Sequence, residues 1–332
     1  MAGTFIFITL LPLASGWLLT GLMRRWACKG RLMDVPNPRS AHESPTPRGG
    51  GVGIVAGFML ASVALWAMGW VPGKDLLALL GGGLIVAGIG LMDDLGHVAI
   101  RWRLLAQIGA VTLGLGLLPP LSGMPSIPVW LILAAVAIGW LWLINLYNFM
   151  DGIDGLAVVE AITVALGASA LLIAGGGYGV SLWIWSLAAA CGGFLIWNRP
   201  PARIFMGDTG SGFLGFAFGG LALTSSQIGQ INLWSWIILL AVFLTDASVT
   251  LLRRMLRGEC WWQPHNCHAY QHLARRHGHL AVTIGVGVIN LIWLLPWAWL
   301  AANQPAFGGL WVALAYVPLV FSALYLRAGV PE

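Results

Sequence analysis

Long uninterrupted apolar runs dominate the chain, and the short polar stretches between them hold almost all of its charge. A run of roughly 20 apolar residues has the length of a helix that crosses the hydrocarbon core of a bilayer. The pattern predicts eleven such spans, at 3–23, 50–70, 75–92, 104–118, 128–147, 155–174, 180–197, 210–226, 231–251, 280–302 and 308–326. The alternating segments of about 10 residues that mark a membrane β-barrel do not occur. The predicted fold is all-α, a single polytopic integral membrane domain over 1–332 with no room for a large soluble domain. Its longest polar connection, 253–280, is a histidine-containing loop. No basic region precedes the first run and no small-residue cleavage site follows it, so it reads as a retained span and not as a signal peptide.

Composition sharpens this picture. The 332 residues are 58% hydrophobic and 9% charged, with a mean hydropathy of +0.83. Soluble domains carry about 25% charged residues, so a cytosolic enzyme is excluded, as are disordered, collagen-like and disulfide-scaffold classes. The four cysteines show no disulfide pattern, and the nineteen tryptophans suit two interfacial belts.

Charge then orients the chain. Lys and Arg total 17. Threaded through eleven spans, sixteen of them share one face: Arg24, Arg25, Lys29, Arg31, Arg39, Arg48, Arg101, Arg103, Arg199, Arg203, Arg253, Arg254, Arg257, Arg275, Arg276 and Arg327. Only Lys74 falls opposite. The positive-inside rule makes the basic face cytoplasmic, with the N-terminus outside and the C-terminus inside. The other face is nearly blank, its turns reading VPGK, PPLSGMPSIP, GGGYG, SSQIGQ and NQPAFGG. Chemistry gathered on one side suggests an enzyme that meets a soluble cytosolic substrate at the membrane surface. Nothing in the pattern calls for nucleic acid.

Five segments on that face carry unusual residues: RSAHESPTPRGGG (39–51), Asp93-Asp94, NLYNFMDGIDG (145–155), NRPPARIFMGDTGS (198–211) and the loop from Arg253 to Leu280 with PHNCHAYQHLARRHGH. Asn145, Asn148, Asp151 and Asp154 are spaced by three, which on a helix keeps them on one slowly drifting stripe. Asn and Asp at such depth are costly unless they meet water, an ion or each other. The acids and amides supply hard oxygen ligands without a thiolate cage, which points to Mg²⁺ or Mn²⁺. A single Asp at a helix end is ordinarily a cap or a solvated residue; five polar clusters on one face of so apolar a chain read as a site.

Competing readings attach to particular residues. His265, Cys267, His268 and His272 could be a zinc site, but the C-x₂₋₄-C spacing is missing, since Cys260 and Cys267 are seven apart. The same segment could be a basic loop beside anionic lipid, or could bind the anionic groups of a substrate. Gly81-Gly82-Gly83 and Gly175-Gly176-Gly177 lack the Lys-Ser/Thr of a P-loop, and close helix packing or turns account for them. Glu160 and Asp246 lie inside apolar runs, where each is expected to pair with a basic or polar neighbour. A transporter or flippase of an anionic solute or lipid is the rival function; it would need acids deep in several spans, and only these two come close.

In their order along the chain, HESPTPRGGG (42–51), GLMDDLGH (90–97), NLYNFMDGIDGL (145–156), FMGDTGSGFLG (205–215), DASVTLLRR (246–254) and PHNCHAYQHL (264–273) resemble the polyprenyl-phosphate N-acetylhexosamine-1-phosphate transferase superfamily, glycosyltransferase family 4. His97 stands where the muropeptide branch has Lys and the N-acetylglucosamine branch often an acid. HNCH, His265 to His268, replaces the triple-His element. This combination is similar to the O-antigen and capsule initiating branch, which implies a UDP-N-acetyl-6-deoxyhexosamine donor.

The resemblance implies a multi-pass protein of the bacterial inner membrane with its site on the cytoplasmic side. There UDP-HexNAc and undecaprenyl phosphate give undecaprenyl-diphospho-HexNAc and UMP, with Mg²⁺ or Mn²⁺ as cofactor. It implies Asp208 and Asn148 as metal ligands, and Asp93 as the base that deprotonates the lipid phosphate, with Asp94 placing metal or base and Asp208 also catalytic. Substrate contacts fall to Arg48, Asn145, Asp151, Asp154, Arg203, His265 and His268. Direct displacement needs fewer assumptions than the other route, a covalent aspartyl-phosphate. Homodimerisation stays open.

Overall fold

The computed structural model describes residues 2–30, 32–36, 44–118, 128–227, 231–260, 263 and 265–331. Arg31, Arg39, His42 and Glu43, part of the first polar segment and of the basic face, lie outside the described residues. The chain is all-α apart from a two-residue ladder, in which β1 (Met33–Asp34) pairs antiparallel with β2 (Thr46–Pro47).

Each predicted span falls on a helix or a broken helix. They are α1 (Ala2–Lys29), α2 (Gly51–Ala67), α3 (Gly73–Leu95), α4 (Ile100–Leu117), α5 (Val129–Met150), α6 (Leu156–Ala174), α7 (Tyr178–Asn198), α8 (Gly207–Gln227), the pair α9 (Leu233–Leu239) and α10 (Ala241–Leu256), then α12 (His279–Val288) running through a π-helical turn (Ile289–Leu294) into α13 (Leu295–Asn303), and α14 (Gly308–Tyr325). Between α10 and α12 lies α11 (Ala269–His277), a short helix with a strongly polar face.

Among the described residues, seven of these helices are long and apolar enough to cross a membrane, or eight with α9–α10 taken as one broken span. The predicted count of eleven exceeds that for identifiable reasons. Helix α2 has 17 residues, and α4 carries Arg101, Arg103 and Gln107. Helix α8 is rich in Gly, Ser and Thr among its Phe, Leu and Ala and is buried along nearly its whole length. Its environment is protein and not lipid, so it needs close packing more than hydropathy. Gly82 and Gly83 of α3 lie where a Cβ would strike Phe216 and Phe213 of α8, which is the close helix packing expected of that glycine run.

The ninth predicted span, 231–251, is not one continuous helix. It bends by 74° at Leu240. Asn232 caps α9, accepting from Ser235 N at 3.1 Å, and its amide donates to Ala301 O at 2.7 Å, so α9 is tied to α13 while α10 departs toward α5 and α14.

The two acids inside apolar runs do find polar partners. Asn290, in the π-helical turn, donates to Glu160 Oε2 at 2.6 Å and to Thr163 Oγ1 at 2.7 Å. Asp246 receives His268 Nδ1 at 3.2 Å, Ala269 N at 3.0 Å and Tyr270 N at 2.9 Å, and so caps α11 from another helix.

Candidate active site

Backbone geometry at one end of the bundle sets the site. Helix α3 ends at Leu95, leaving Asp93 and Asp94 in its last turn; α8 starts at Gly207, putting Asp208 in its first. Asp94, 3% exposed, caps α8. Its Oδ1 accepts from Asp208 N at 3.0 Å, and its Oδ2 from Thr209 N at 3.1 Å and Thr209 Oγ1 at 2.7 Å. A carboxylate across a helix N-terminus satisfies orphan N–H groups and meets the positive end of the dipole. Gly207 makes the approach feasible, with φ +75° and a position where a Cβ would lie 2.5 Å from the Asp94 carboxylate. Asp94 therefore acts on the site by fixing Asp208.

Two other helices close on Asp208. Asn148, in the last turn of α5, donates its amide to Asp208 Oδ1 at 2.7 Å and approaches Ser211 Oγ at 3.3 Å. Arg103, in the first turn of α4, lies 2.7 Å from Asp208 Oδ2 and 2.8 Å from Asp93 Oδ2. Asp93 Oδ1 also accepts from Val98 N at 2.8 Å. Asp93, Asn148 and Asp208 thus form one connected cluster, joined through an arginine that sequence reasoning placed only on the basic face.

Beside this cluster a cavity of about 270 Å³ is lined by Asp34, Arg48, Asp94, Asn148, Asp151, Asp154, Asn198, Asp208, Gln271 and His279 among others. Five carboxylates face two basic side chains there. Asp151 sits in the turn that follows α5. Desolvation, and then the carboxylates of Asp208, Asp94 and Asp154, raise its carboxyl well above the ordinary 3.8. Such crowding favours a bound cation. Arg48 Nε is buried with no hydrogen-bond partner among the described residues, an open donor suited to an anion. Among the described residues no three His, Cys, Asp or Glu side chains form a ready metal cage. Mg²⁺ is usually held by one or two carboxylates plus waters and substrate phosphates, and an Asp–Asn pair beside a crowded acid fits that habit. Among the described residues no set of ligands converges on Cys267 as a zinc centre needs.

Asp154 is engaged by its neighbours. Its Oδ2 accepts from Ala202 N at 3.0 Å and lies 3.3 Å from His279 Nδ1, while its carbonyl accepts from Thr283 Oγ1 at 3.0 Å. Gly152, next in the same turn, leaves room for Tyr270, whose hydroxyl donates to Phe149 O at 3.0 Å. The α5–α6 turn is therefore clamped against α11 and α12.

Four predicted substrate contacts lie outside the cavity wall. Asn145 donates to Gln107 Oε1 at 2.9 Å and to Leu141 O at 2.7 Å, bridging α5 to α4. Arg203 is exposed, and its carbonyl accepts from Arg24 Nε at 3.1 Å. His268 is 2% exposed and held on Asp246. His265 stacks on it with ring centroids 4.8 Å apart. Burial, then His268 and Arg254, push His265 down to about 3, so near neutral pH it is uncharged. Nothing in the motif spacing marks His279 or Arg103 as a site residue. His279 carried only the signal of one more histidine in a histidine-rich run.

A second, apolar cavity of about 610 Å³ runs between α5, α8, α9 and α10, with Val136, Gly139, Trp140, Trp142, Leu143 and Leu244 among its walls. Trp142 and Leu143 lie within one turn of Asn145 and within two turns of Asn148 on α5, so the groove ends near the acidic cluster.

Comparison with known proteins bears on this geometry. The pattern that defines glycosyl transferase family 4 matches residues 76–226, a stretch that contains Asp93, Asn148 and Asp208. The chain is 30% identical to the decaprenyl-phosphate N-acetylglucosaminephosphotransferase of Mycolicibacterium smegmatis, over 82% of this chain and 77% of that protein. It is 32% identical to a phospho-N-acetylmuramoyl-pentapeptide-transferase of Synechococcus, over 72% of each. It is 29% identical to the probable undecaprenyl-phosphate N-acetylglucosaminyl 1-phosphate transferase of Bacillus subtilis, over 77% of this chain and 73% of that protein.

Proposed function

Since the chain belongs to glycosyl transferase family 4, the polyprenyl-phosphate N-acetylhexosamine-1-phosphate transferases, we propose that it moves HexNAc-1-phosphate from a UDP-sugar to undecaprenyl phosphate and releases UMP. The observation that carries this reading is the meeting of Asp93, Asn148 and Asp208 beside a polar cavity, next to an apolar groove. A polar cavity suits the soluble donor and an apolar groove suits a polyprenyl tail. The site faces the cytoplasm of a bacterial inner membrane, because the basic residues gather at that end.

An oxygen of the lipid phosphate attacks the sugar-bearing phosphorus, and the bond from that phosphorus to the UMP oxygen breaks. Two anions must approach each other, so the barrier is largely electrostatic. Asp208 and Asn148 would hold Mg²⁺ or Mn²⁺, which when bound would supply neutralising charge for the diphosphate and the departing UMP. Asp94 keeps Asp208 in place. Arg103 offers a cation to the entering phosphates, and its departure from Asp93 frees that carboxylate to take the acceptor's proton. A phosphate monoester has its second pKa near 6, and nearby carboxylates raise it, so a base is useful. Arg48 binds an anionic oxygen through its open Nε.

The sugar proposed is a 6-deoxy-HexNAc and the role the initiation of O-antigen or another surface glycan, read from His97 and the HNCH element. The test is a panel of UDP-sugars given to purified protein with undecaprenyl phosphate, scored by the mass of the lipid product. Polyprenyl-phosphate-dependent UMP release supports transfer. Solute uptake into vesicles without UMP would instead support a transporter. Of the two acids a transporter would use, Asp246 is engaged in capping α11 and Glu160 accepts from Asn290 through Oε2, which favours the enzyme.

A further inference from the structure

Five histidines lie between 265 and 279, and one of them, His279, lines the acidic cavity. It opens α12, directly after Gly278, whose φ of +79° turns the chain from α11 into α12. Its Nδ1 is committed to Asp154. The Asp154 N–H approaches it at 3.4 Å, and Asp154 Oδ2 lies 3.3 Å from it. In a neutral ring that accepts from Asp154 N, the hydrogen sits on Nε2. In an imidazolium paired with the Asp154 carboxylate, Nε2 carries a hydrogen as well. In a neutral ring that instead donates Nδ1–H to Asp154 Oδ2, Nε2 is bare and accepts. Every state leaves Nε2 on the far edge of the ring, as a donor in the first two and an acceptor in the third, and the ring borders a cavity with one other basic side chain, Arg48.

Resting on the function proposed above, we infer that His279 binds the donor UDP-sugar through Nε2, and that Asp154 is its positioning residue. Asp154 is suited to that task. Its Oδ2 is already shared between Ala202 N and His279, and its carbonyl is tied to Thr283. The partner is the donor and not the lipid, because His279 stands in the polar cavity, whereas the apolar groove is walled by α5, α8, α9 and α10. A nucleotide-sugar offers both complements: an anionic oxygen for an Nε2–H and a hydroxyl for a bare Nε2.

Three variants of the full-length protein separate binding from architecture. His279→Ala removes both nitrogens, His279→Asn keeps an amide near the Nδ1 position, and His279→Gln keeps one near Nε2. Two quantities are measured: KM for UDP-sugar and for undecaprenyl phosphate, and the equilibrium Kd of UDP-sugar with Mg²⁺ in the absence of acceptor. Expected are a rise of about tenfold or more in donor KM and Kd for the Ala and Asn variants, substantial rescue by Gln, and acceptor KM within about twofold throughout. Unchanged donor Kd in His279→Ala, or an Asn variant as good as the unaltered protein, overturns the inference while leaving the function standing. Failure of the unaltered protein to bind any UDP-sugar would instead overturn the function.

Discussion

Arg103 and Asp208 are joined at 2.7 Å, so the carboxylate proposed to hold a divalent cation is already neutralised by a side chain of the protein. Both side chains are about a quarter exposed, and such a pair contributes roughly 1 kcal/mol at most. A cation arriving at Asp208 must displace the guanidinium or share the carboxylate with it. Arg103→Gln should therefore tighten divalent binding by up to about fivefold, yet slow transfer, because the cation that meets the phosphates is gone. Titration with Mn²⁺ followed by magnetic resonance reads the first effect and UMP release the second. Weaker Mn²⁺ binding in Arg103→Gln would show that the arginine organises the site and does not compete for it.

Asp94 and Asp208 should fail differently. Asp208→Asn removes a charged ligand while keeping the backbone N–H that Asp94 accepts, so folding should survive with transfer abolished and Mn²⁺ binding lost. Asp94→Asn puts an amide where the end of α8 offers only donors. At least one accepted bond to the buried helix end is lost, worth roughly 1–3 kcal/mol. Its thermal midpoint in detergent should fall, with activity reduced but measurable. Near-normal transfer by Asp208→Asn with Mg²⁺ present would remove Asp208 from the metal.

Much of this site was legible in the sequence, and for a physical reason. In a chain with 9% charged residues, Asp93, Asn148, Asp151 and Asp208 had few ways to avoid hydrocarbon except by converging on one polar place. What could not be read was which polar group partners which. Arg103 and Asn145 sit at ends of helices whose rotation is set by packing, so one turns into the cluster and the other onto Gln107. His265 and His279 are equivalent by composition, but Asp246 draws the first part of the loop inward against α10 while Gly278 swings His279 to the cavity. The bend at Leu240 left no mark on hydropathy, because α9 and α10 are both apolar and tertiary bonds from Asn232 divide them.

Asp151 yields a pH dependence whose sign can be worked out. Its carboxyl is raised above its ordinary 3.8 in the folded protein. The folded state then holds the proton more tightly than the unfolded one, so this group's contribution to stability is complete below about 3.8 and fades as pH climbs through the raised value. Metal-free protein should lose thermal stability on that climb, and Asp151→Asn should lose less. A divalent cation relieves the same repulsion, so the gain in melting temperature on adding Mg²⁺ should grow with pH. A Mg²⁺ effect that is flat with pH, or equal in Asp151→Asn, would separate Asp151 from the cation.

The apolar groove offers the last test. Gly139 lies on its wall, and a Cβ built there meets nothing within 4 Å. Gly139→Phe should therefore fold normally while filling space that a polyprenyl tail would occupy. Excluding roughly 60 Å² of tail from burial, at about 25 cal/mol per Å², costs about 1.5 kcal/mol, near tenfold in affinity. The KM for undecaprenyl phosphate should rise by that order, and the KM for UDP-sugar should hold. A short isoprenoid phosphate, whose tail ends before the obstruction, should lose much less. If long and short acceptors suffer alike, the ring has disturbed α5 and through it Asn148; if neither suffers, the tail lies elsewhere on the bundle.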